Sequence, residues 1–237
     1  MRIISWNSNM AFRKKWNQII KFKPDILVIQ ECEIESKYTK NQLIPNYNQF
    51  IWIGENQNKG IGIISFNDYN IKISKSYNKS FKYFIPIEVT GNHTFNLYAI
   101  WAMPNKNSTL NSYVGQIWNA INFYDKVFKK DSILVGDWNS NTIWDKKRKT
   151  GNHSQVVNFL DRYNINSIYH ELNHEIHGKE SKPTLFLLKK KNKPFHIDYC
   201  FATKTLITQN TKIEIGNFED WITFSDHMPV FIHNLME

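Results

Sequence analysis

The chain has 237 residues, a mass of 28.2 kDa and a formal net charge of +9 at pH 7. Hydrophobic residues make up 41% of it and aromatic residues 15%, which excludes a disordered chain and is enough for one well-buried core. No apolar run reaches the ~20 residues of a membrane span. Because the first residues already have a strand pattern, we expect no signal peptide. We therefore expect a cytoplasmic monomer of one domain, residues 1–237, that does not bind membranes.

The hydrophobic pattern alternates between strand-like and helix-like segments along the chain. Three segments with helical spacing of apolar residues predict helices over 10–22, 112–128 and 153–163. Segment 33–48 is predicted to be irregular, and the polar stretch 164–182 to be a solvated loop. Short apolar or alternating runs predict strands at 2–7, 25–30, 49–53, 60–66, 70–74, 83–90, 95–102, 132–136, 184–188, 195–202, 205–215 and 228–233.

Polar side chains recur where these strands meet loops. Glu31 follows the strand at 25–30, Asp137 follows the run ending at Gly136, Asp198 lies within the strand at 195–202, and Asp226 and His227 precede the last strand. Pairs spaced by two residues point to one side of an extended chain, as do Asn7 and Asn9 after the first strand and Asp137 and Asn139. An Asx turn is the alternative explanation for any one of these clusters.

Several carboxylates at one site repel one another unless a cation or a proton lies between them. Oxygen ligands without cysteine suit a hard ion, so the expected cofactor is Mg²⁺ or Mn²⁺. The two cysteines, Cys32 and Cys200, are expected to be free thiols.

An ordered set of short motifs resembles the endonuclease/exonuclease/phosphatase superfamily, which includes exonuclease III, the abasic-site endonucleases and deoxyribonuclease I. No motif is specific alone, but together they span residues 5–229 in the family's order. The resemblance implies an α/β fold in which two mixed β-sheets form a sandwich flanked by helices, with the site at one rim. The matching segments are 5–7 (SWN), 24–31 (PDILVIQE), 60–64 (GIGII), 103–105 (MPN), 136–139 (GDWN), 196–199 (HIDY) and 225–229 (SDHMP).

The chemical steps of phosphodiester hydrolysis suggest a role for each polar residue at the strand ends, and the resemblance supports these roles. Glu31 is the expected principal metal ligand, with Asn9 and Asp226 completing its shell or holding a second ion. Asp137 is expected to activate water or assist the leaving oxygen, as a general acid or base. Asn7 and Asn139 are expected to position the phosphate or the nucleophile. His227 is expected to donate a hydrogen bond to a phosphate oxygen, while Asp198 fixes its tautomer. The resemblance alone adds Asn105 as a neighbour of the site.

The excess of positive charge favours a polyanionic partner, since basic patches attract phosphate backbones. Much of it lies in three runs at 13–15, 146–149 and 189–193. Each run alone is more typical of a solvated loop. Because the last two flank the proposed site, we expect phosphate contacts from Lys146, Lys147, Arg148 and Lys149.

The sequence therefore predicts a metal-dependent phosphodiesterase, in first place a nuclease acting on DNA or RNA. One alternative is a phosphodiesterase or phosphatase acting on a small molecule, a lipid headgroup or a nucleotide end. A second is a basic nucleic-acid-binding module with no activity. Intact acids argue against the second, because an inactive site has no reason to keep all of them.

A competing motif, His170-Glu-Leu-Asn-His174, matches the zinc metalloprotease pattern His-Glu-x-x-His, with His177 three residues later. That chemistry needs both histidines on one face of a stable helix. Stretch 164–182 is polar and has no clear apolar stripe, so a solvated loop is the preferred interpretation.

One departure from the family pattern concerns Ala102. Abasic-site endonucleases carry a tyrosine two residues before the proline that corresponds to Pro104, and this chain has alanine there. Losing a phenol that contacts phosphate removes a hydrogen bond worth ~1.5–3 kcal/mol. We therefore expect weak incision of abasic DNA unless His153 or His170 replaces the phenol, and a role for Trp101 in substrate contact through packing or stacking.

Overall fold

The structure is a computed structural model that describes residues 1–237 apart from the side chain of Lys129. Its α-helices are α1 (Trp16–Ile20), α2 (Val114–Phe123), α3 (His153–Asp161), α4 (Ile168–Asn173) and α5 (Phe218–Trp221). Its strands are β1 (Ile3–Asn7), β2 (Ile26–Cys32), β3 (Tyr47–Asn56), β4 (Lys59–Phe66), β5 (Asn70–Ile73), β6 (Phe84–Thr90), β7 (Phe95–Trp101), β8 (Ser132–Asp137), β9 (Ile165–Ser167), β10 (Leu185–Phe186), β11 (Pro194–Phe195), β12 (Asp198–Thr203), β13 (Lys212–Ile215) and β14 (Val230–His233).

These strands form two mixed six-stranded sheets and a short hairpin. The first sheet has the order β13-β14-β1-β2-β4-β3, and the second has the order β5-β6-β7-β8-β12-β9. Each sheet contains one parallel pair, β1 with β2 and β7 with β8, among otherwise antiparallel neighbours. The hairpin pairs β10 with β11.

The two sheets pack face to face, with β1 and β2 of the first lying against β8 of the second. Alternating residues of their strands, such as Ile3, Val28 and Val135, form the core between them. The opposite faces are covered by helices: α2 and α3 pack on Leu134 and Tyr98, and α1 and α5 pack on the outer face of the first sheet. The prediction of a two-sheet sandwich flanked by helices is confirmed.

Most predicted strands lie where expected, whereas the helices are shorter. The segment predicted as a helix over 10–22 consists of a 3₁₀ turn, Phe12–Lys14, and the short helix α1. A left-handed residue at Ala11 and a non-helical Lys15 interrupt the pattern there. Likewise the helix predicted over 112–128 ends at Phe123 and continues as the 3₁₀ turn Asp125–Lys129.

The prediction of a solvated loop over 164–182 is wrong for its first half. Residues Ile165–Ser167 pair with β12 as an edge strand, and α4 follows at once. Ile168 and Tyr169 are buried, so tertiary packing stabilises a helix that has no clear apolar stripe in the sequence. The strand predicted over 205–215 is also shorter, since it begins only at Lys212.

Gly136 allows β8 to approach β7 closely just before the site. Its φ is +145°, and a Cβ at this position would lie 1.9 Å from the carbonyl oxygen of Ile100. No side chain fits there without moving the backbone. The glycine thus fixes the position of Asp137, the next residue.

Among the residues that the structure describes, no helix has the length and apolar character needed to cross a membrane.

Candidate active site

The polar strand ends meet at one rim of the sandwich. The C-terminal ends of the parallel strands β1 and β2 carry Asn7 and Glu31, and β8 ends at Asp137. Because β12 runs antiparallel to β8, its first residue, Asp198, lies directly opposite Asp137. His227 precedes β14, which runs antiparallel to β1 and so starts at the same rim.

Asp137 is buried and accepts hydrogen bonds from two asparagines. Asn7 Nδ2 and Asn139 Nδ2 each donate to Oδ2 at 3.0 Å, and the Asn139 backbone N–H donates to Oδ1 at 2.9 Å. Burial raises the pKa of the Asp137 carboxyl to about 7, with the nearby Asp198 carboxylate acting in the same direction. A carboxyl in this range exchanges a proton near neutral pH.

Asp198 and His227 form a buried ion pair, with His227 Nδ1 at 3.0 Å from Asp198 Oδ2. Burial alone would lower the pKa of His227, but the carboxylates of Asp198, Asp137 and Asp226 outweigh it and raise the pKa to about 10. The imidazole is therefore cationic at neutral pH. Since Nδ1 is bound to Asp198, Nε2 is left as the ring donor for another partner.

Asn7 and Asn9 link the metal-binding candidates to Asp137. Asn7 Nδ2 lies 3.5 Å from Glu31 Oε1, and Asn7 Oδ1 accepts a hydrogen bond from the Asn9 backbone N–H at 3.0 Å. Asn9 Nδ2 in turn donates to Asp226 Oδ1 at 2.8 Å. One hydrogen-bonded network thus joins Glu31, Asn7 and Asp137 on one side and Asp226 on the other.

Glu31 is placed by an irregularity in its strand. The pairing of β2 with β4 shifts between Gln30 and Cys32, and Glu31 has a positive φ of 59°. Such a bulge reorients a side chain at a strand end. Its carboxylate remains half-buried and pairs with Lys59 Nζ at 3.1 Å.

One donor set at this rim has the chemistry of a cation site. Asp137, Asp198 and His227 also lie close together, with one side-chain N or O atom of each within 4.8 Å of the others, but the cationic imidazole of His227 offers no lone pair to a metal. Glu31, Asn9 and Asp226 offer carboxylate and amide oxygens, and the bond that Asn9 makes through Nδ2 leaves its side-chain oxygen as a donor for a cation. Oxygen donors of this kind suit a hard divalent ion.

Trp101 and Arg148, predicted to contact substrate, and Asn105, predicted to be a neighbour of the site, make other contacts in the structure. Trp101 is only 2% exposed and stacks on Tyr83, so its ring is not open to a substrate base. Asn105 accepts a hydrogen bond from the backbone N–H of Asn107, which closes a turn. Arg148 donates to the carbonyl oxygens of Thr109, Leu110, Ser112 and Thr150, so its guanidinium clamps a loop.

Lys146, Lys147 and Lys149 remain exposed beside this clamp. Lys147 lies on a groove of about 570 Å³ that begins at Asn139 and Asn141. The aromatic rings of Trp144 and Phe195, 5.4 Å apart, also line this groove. One lysine and two aromatic rings thus line a groove that reaches Asn139, a hydrogen-bond partner of Asp137.

Two lysines near the site were not singled out in the sequence. Lys15 Nζ donates to the carbonyl oxygens of Ser8, Asn9, Met10 and Phe224, which fixes the loop after β1. Lys59 pairs with Glu31 and lies over the Trp101 ring at 5.3 Å. Lys15 occurs in a run of charged residues that suggests a solvated face, so the sequence gives no sign of its role. The position of Lys59 directly before the 60–64 motif is the sequence feature that could have identified it.

The histidines of the His-Glu-x-x-His motif do not converge. His174 ends α4 in a left-handed conformation and is exposed, while His170 is turned inward onto Glu180. The arrangement of a zinc metalloprotease is therefore absent from the described residues. His153 is buried and bonded to Ser140, so it is not placed to replace the missing phenol at Ala102.

The same fold occurs in solved structures that share little sequence with this chain. A 3' phosphatase, NExo, from Neisseria, bound to a product DNA hairpin, has a TM-score of 0.70 at 16% identity, with 98% of each chain covered. An AP endonuclease from Archaeoglobus fulgidus has a TM-score of 0.68 at 16% identity, again over 98% of each chain. An endonuclease/exonuclease/phosphatase family protein from Leptotrichia buccalis has a TM-score of 0.58 at 16% identity over 98% of each chain.

No family model and no curated protein matches the sequence. The three structural neighbours nevertheless match over nearly the whole chain. The protein therefore has the fold of the endonuclease/exonuclease/phosphatase superfamily, as the motifs predicted.

Proposed function

We propose that the protein is a metal-dependent phosphodiesterase, in first place a nuclease that hydrolyses DNA or RNA. The observation that carries this proposal is the buried group of Asp137, Asp198 and His227 at the rim. It places a carboxyl that titrates near neutral pH beside an imidazolium, which are the two partners that proton transfer at a phosphodiester needs.

The side chains divide the reaction between them. Asp137, held by Asn7 and Asn139, takes the proton of the attacking water or returns one to the leaving oxygen. His227 donates through Nε2 to a phosphate oxygen while Asp198 holds its tautomer and its charge. Such a donor favours the crowded charge that develops on the phosphate in the transition state.

The oxygen donors Glu31, Asn9 and Asp226 would hold the divalent ion, which we propose to be Mg²⁺ or Mn²⁺. When bound, the ion supplies positive charge to the phosphate oxygens and to the leaving group. Lys59 Nζ lies 3.1 Å from Glu31 and adds a positive charge at the edge of this donor set.

The groove beside Asn139 supports a nucleic-acid substrate. Its aromatic walls, Trp144 and Phe195, offer surfaces on which a base can stack, and Lys147 at its edge offers charge for a phosphate. The remaining lysines, Lys146 and Lys149, extend this charge outward. The net charge of +9 acts in the same direction at long range.

A second candidate is hydrolysis of a phosphate monoester at a nucleotide end. One structural neighbour is described as a 3' phosphatase bound to a DNA hairpin. Both reactions need the same metal and the same proton transfers, so they differ in how the substrate lies along the groove.

A substrate panel tests the proposal: single-stranded, duplex, nicked and abasic DNA, RNA, a 3'-phosphorylated oligonucleotide and phospholipid, each with Mg²⁺ and with a chelator. We expect Mg²⁺-dependent release of product from a nucleic acid, with weak incision at abasic sites. Binding of nucleic acid that continues unchanged in chelator, without product from any substrate, would support the non-catalytic module instead.

A further inference from the structure

A second polar cluster lies at the same end of β8 but on the opposite face of the second sheet. Side chains alternate along a strand, so Trp138 and Tyr199 point away from Asp137 and Asp198. Four imidazoles lie around the Tyr199 ring, and one carboxylate lies against one of them. They belong to His153, His170, His177, His196 and Glu180.

Three members of this cluster have the spacing of metal ligands. His170, His177 and Glu180 each bring one ligand atom within 4.8 Å of the others. His170 Nε2 lies 3.2 Å from Glu180 Oε1, and the rings of His170 and His177 stack with centroids 3.5 Å apart. Coordination would open this stack, because the nitrogen lone pairs lie in the ring planes.

The opposite nitrogen of His170 is already oriented by a neighbour, since Nδ1 lies 2.7 Å from Ser167 Oγ. Metal-binding histidines are commonly held this way through the nitrogen that does not bind the ion. Glu180 Oε1, which faces His170, also accepts a hydrogen bond from the Gly178 backbone N–H at 3.0 Å.

Several buried nitrogen atoms of the cluster have no hydrogen-bond partner. They are Nε2 of His153, Nδ1 of His177 and Nε2 of His196. His153 and His196 are 1% and 4% exposed, so solvent does not satisfy them. Unsatisfied buried polar atoms are uncommon, and one cause is an ion that belongs at the site.

We propose that His170, His177 and Glu180 bind a zinc ion at a structural site separate from the catalytic centre. Imidazole and carboxylate ligands suit Zn²⁺ in a tetrahedral site, and a neighbouring imidazole would take the fourth position of a closed structural site. His170 belongs to the metalloprotease-like motif of the sequence, but its partners are not those of that motif.

The site would stabilise the loop that carries a catalytic side chain. Asn141 Nδ2 donates to both carboxylate oxygens of Glu180, at 3.1 and 3.2 Å, and to the His196 carbonyl oxygen at 2.9 Å. Asn141 lies two residues after Asn139. An ion held by Glu180 would thus fix the end of the chain segment that orients Asn139 toward Asp137.

Metal content tests this inference directly. The purified full chain is stripped with chelator, incubated with Zn²⁺ in millimolar Mg²⁺ and passed through gel filtration, and zinc per chain is measured by mass spectrometry. We expect about one equivalent in the wild type and a loss of at least ~10-fold in affinity for His177→Gln and Glu180→Gln. Circular dichroism verifies that the variants are folded.

Two control variants separate this site from the alternatives. His174→Gln removes the exposed histidine of the motif and should keep the zinc. Asp198→Asn changes the catalytic centre and should keep it too. Zinc should also raise the melting temperature of the wild type and of both controls, but not that of His177→Gln.

A wild type that retains no zinc would overturn the inference. So would zinc that persists in folded His177→Gln, or zinc that is lost only in Asp198→Asn, which would assign the ion to the catalytic centre. None of these three results depends on any measured hydrolysis.

Discussion

His227 Nδ1 lies 3.0 Å from Asp198 Oδ2, and this contact joins the two sheets. Asp198 begins β12 in the second sheet, while His227 precedes β14 in the first. The Trp6 indole N–H donates to the His227 carbonyl oxygen at 3.0 Å, and the Thr184 hydroxyl oxygen accepts the Asp198 backbone N–H at 3.0 Å. The orientation of the imidazole therefore depends on how the sheets pack.

We expect His227 and Asp198 to act as a unit in catalysis. His227→Gln should lower kcat/KM by ~10²–10⁴, the range for losing a general acid or base. Because Asp198 acts through His227, Asp198→Asn should cause little further loss in the His227→Gln background. Kinetics on both single variants and the double variant measure this, with Asp131→Asn, an exposed aspartate, as control. Fully multiplicative losses would contradict the coupling.

Asp137→Asn should lower kcat by ~10²–10⁴ while the protein remains folded. Its side chain is buried among polar partners at the rim, so the substitution removes a charge and a proton acceptor but little packing. The matched control is again Asp131→Asn, since Asp131 precedes the same strand at its other end. Near-wild-type turnover of a folded Asp137→Asn protein would remove Asp137 from the mechanism.

The raised pKa of Asp137 predicts a pH-dependent stability. Its folded-state pKa of about 7 lies above the ordinary value of 3.8, so this carboxyl contributes stability below pH 3.8 that is lost as pH rises through 7. Asp137→Asn avoids this loss. In chelator, the variant should match the wild type near pH 4 and exceed its free energy of unfolding by ~2–4 kcal/mol at pH 8.

Urea unfolding from pH 4 to pH 9 measures this difference. If the wild type stayed as stable as Asp137→Asn across the whole range, the folded state would offset the cost of burying the ionised Asp137 carboxylate, and the prediction would be wrong.

Glu31→Gln should weaken Mg²⁺ affinity, so that added Mg²⁺ partly restores the rate. The amide keeps the shape of the side chain but removes the charge that attracts the ion. A Mg²⁺ titration of activity should therefore shift to higher concentration, and Glu88→Gln, an exposed change on β6, should leave it in place. An unchanged titration for Glu31→Gln would mean that the ion lies elsewhere.

Nucleic-acid affinity should fall steeply with salt, with a log–log slope of ~0.9 per neutralised phosphate on duplex DNA. Replacing Lys146, Lys147 and Lys149 with glutamine should flatten this slope. Arg148→Gln should instead lower stability, because its guanidinium holds four backbone carbonyl groups. A wild-type slope near zero would contradict a nucleic-acid substrate.

Ala102→Tyr, the substitution that the family pattern suggests, is not a clean test of abasic-site incision. The Ala102 methyl group is buried in the core beneath α2 and α3. A phenol there would overpack this core, so a loss of activity would report on folding as well as on phosphate binding.

The local sequence determined the strand ends and the acids that they carry. Gly136, Asp137 and Asn139 are a few residues apart, and the two-residue period of a strand fixes which of them share a side. The ordered motifs supplied the sandwich that the structure confirms. The roles assigned to these residues stay predictions until variants are measured.

Only the tertiary structure decided which side chains are packed or hydrogen-bonded within the protein and which are open to a substrate. Trp101 and Ala102 adjoin the site in sequence but point into two different cores, and Arg148 turns from an exposed run onto a backbone loop. Four histidines from separate segments, His153, His170, His177 and His196, converge because their segments meet around Tyr199. Such contacts depend on the register and packing of segments far apart in the chain, which local periodicity does not specify.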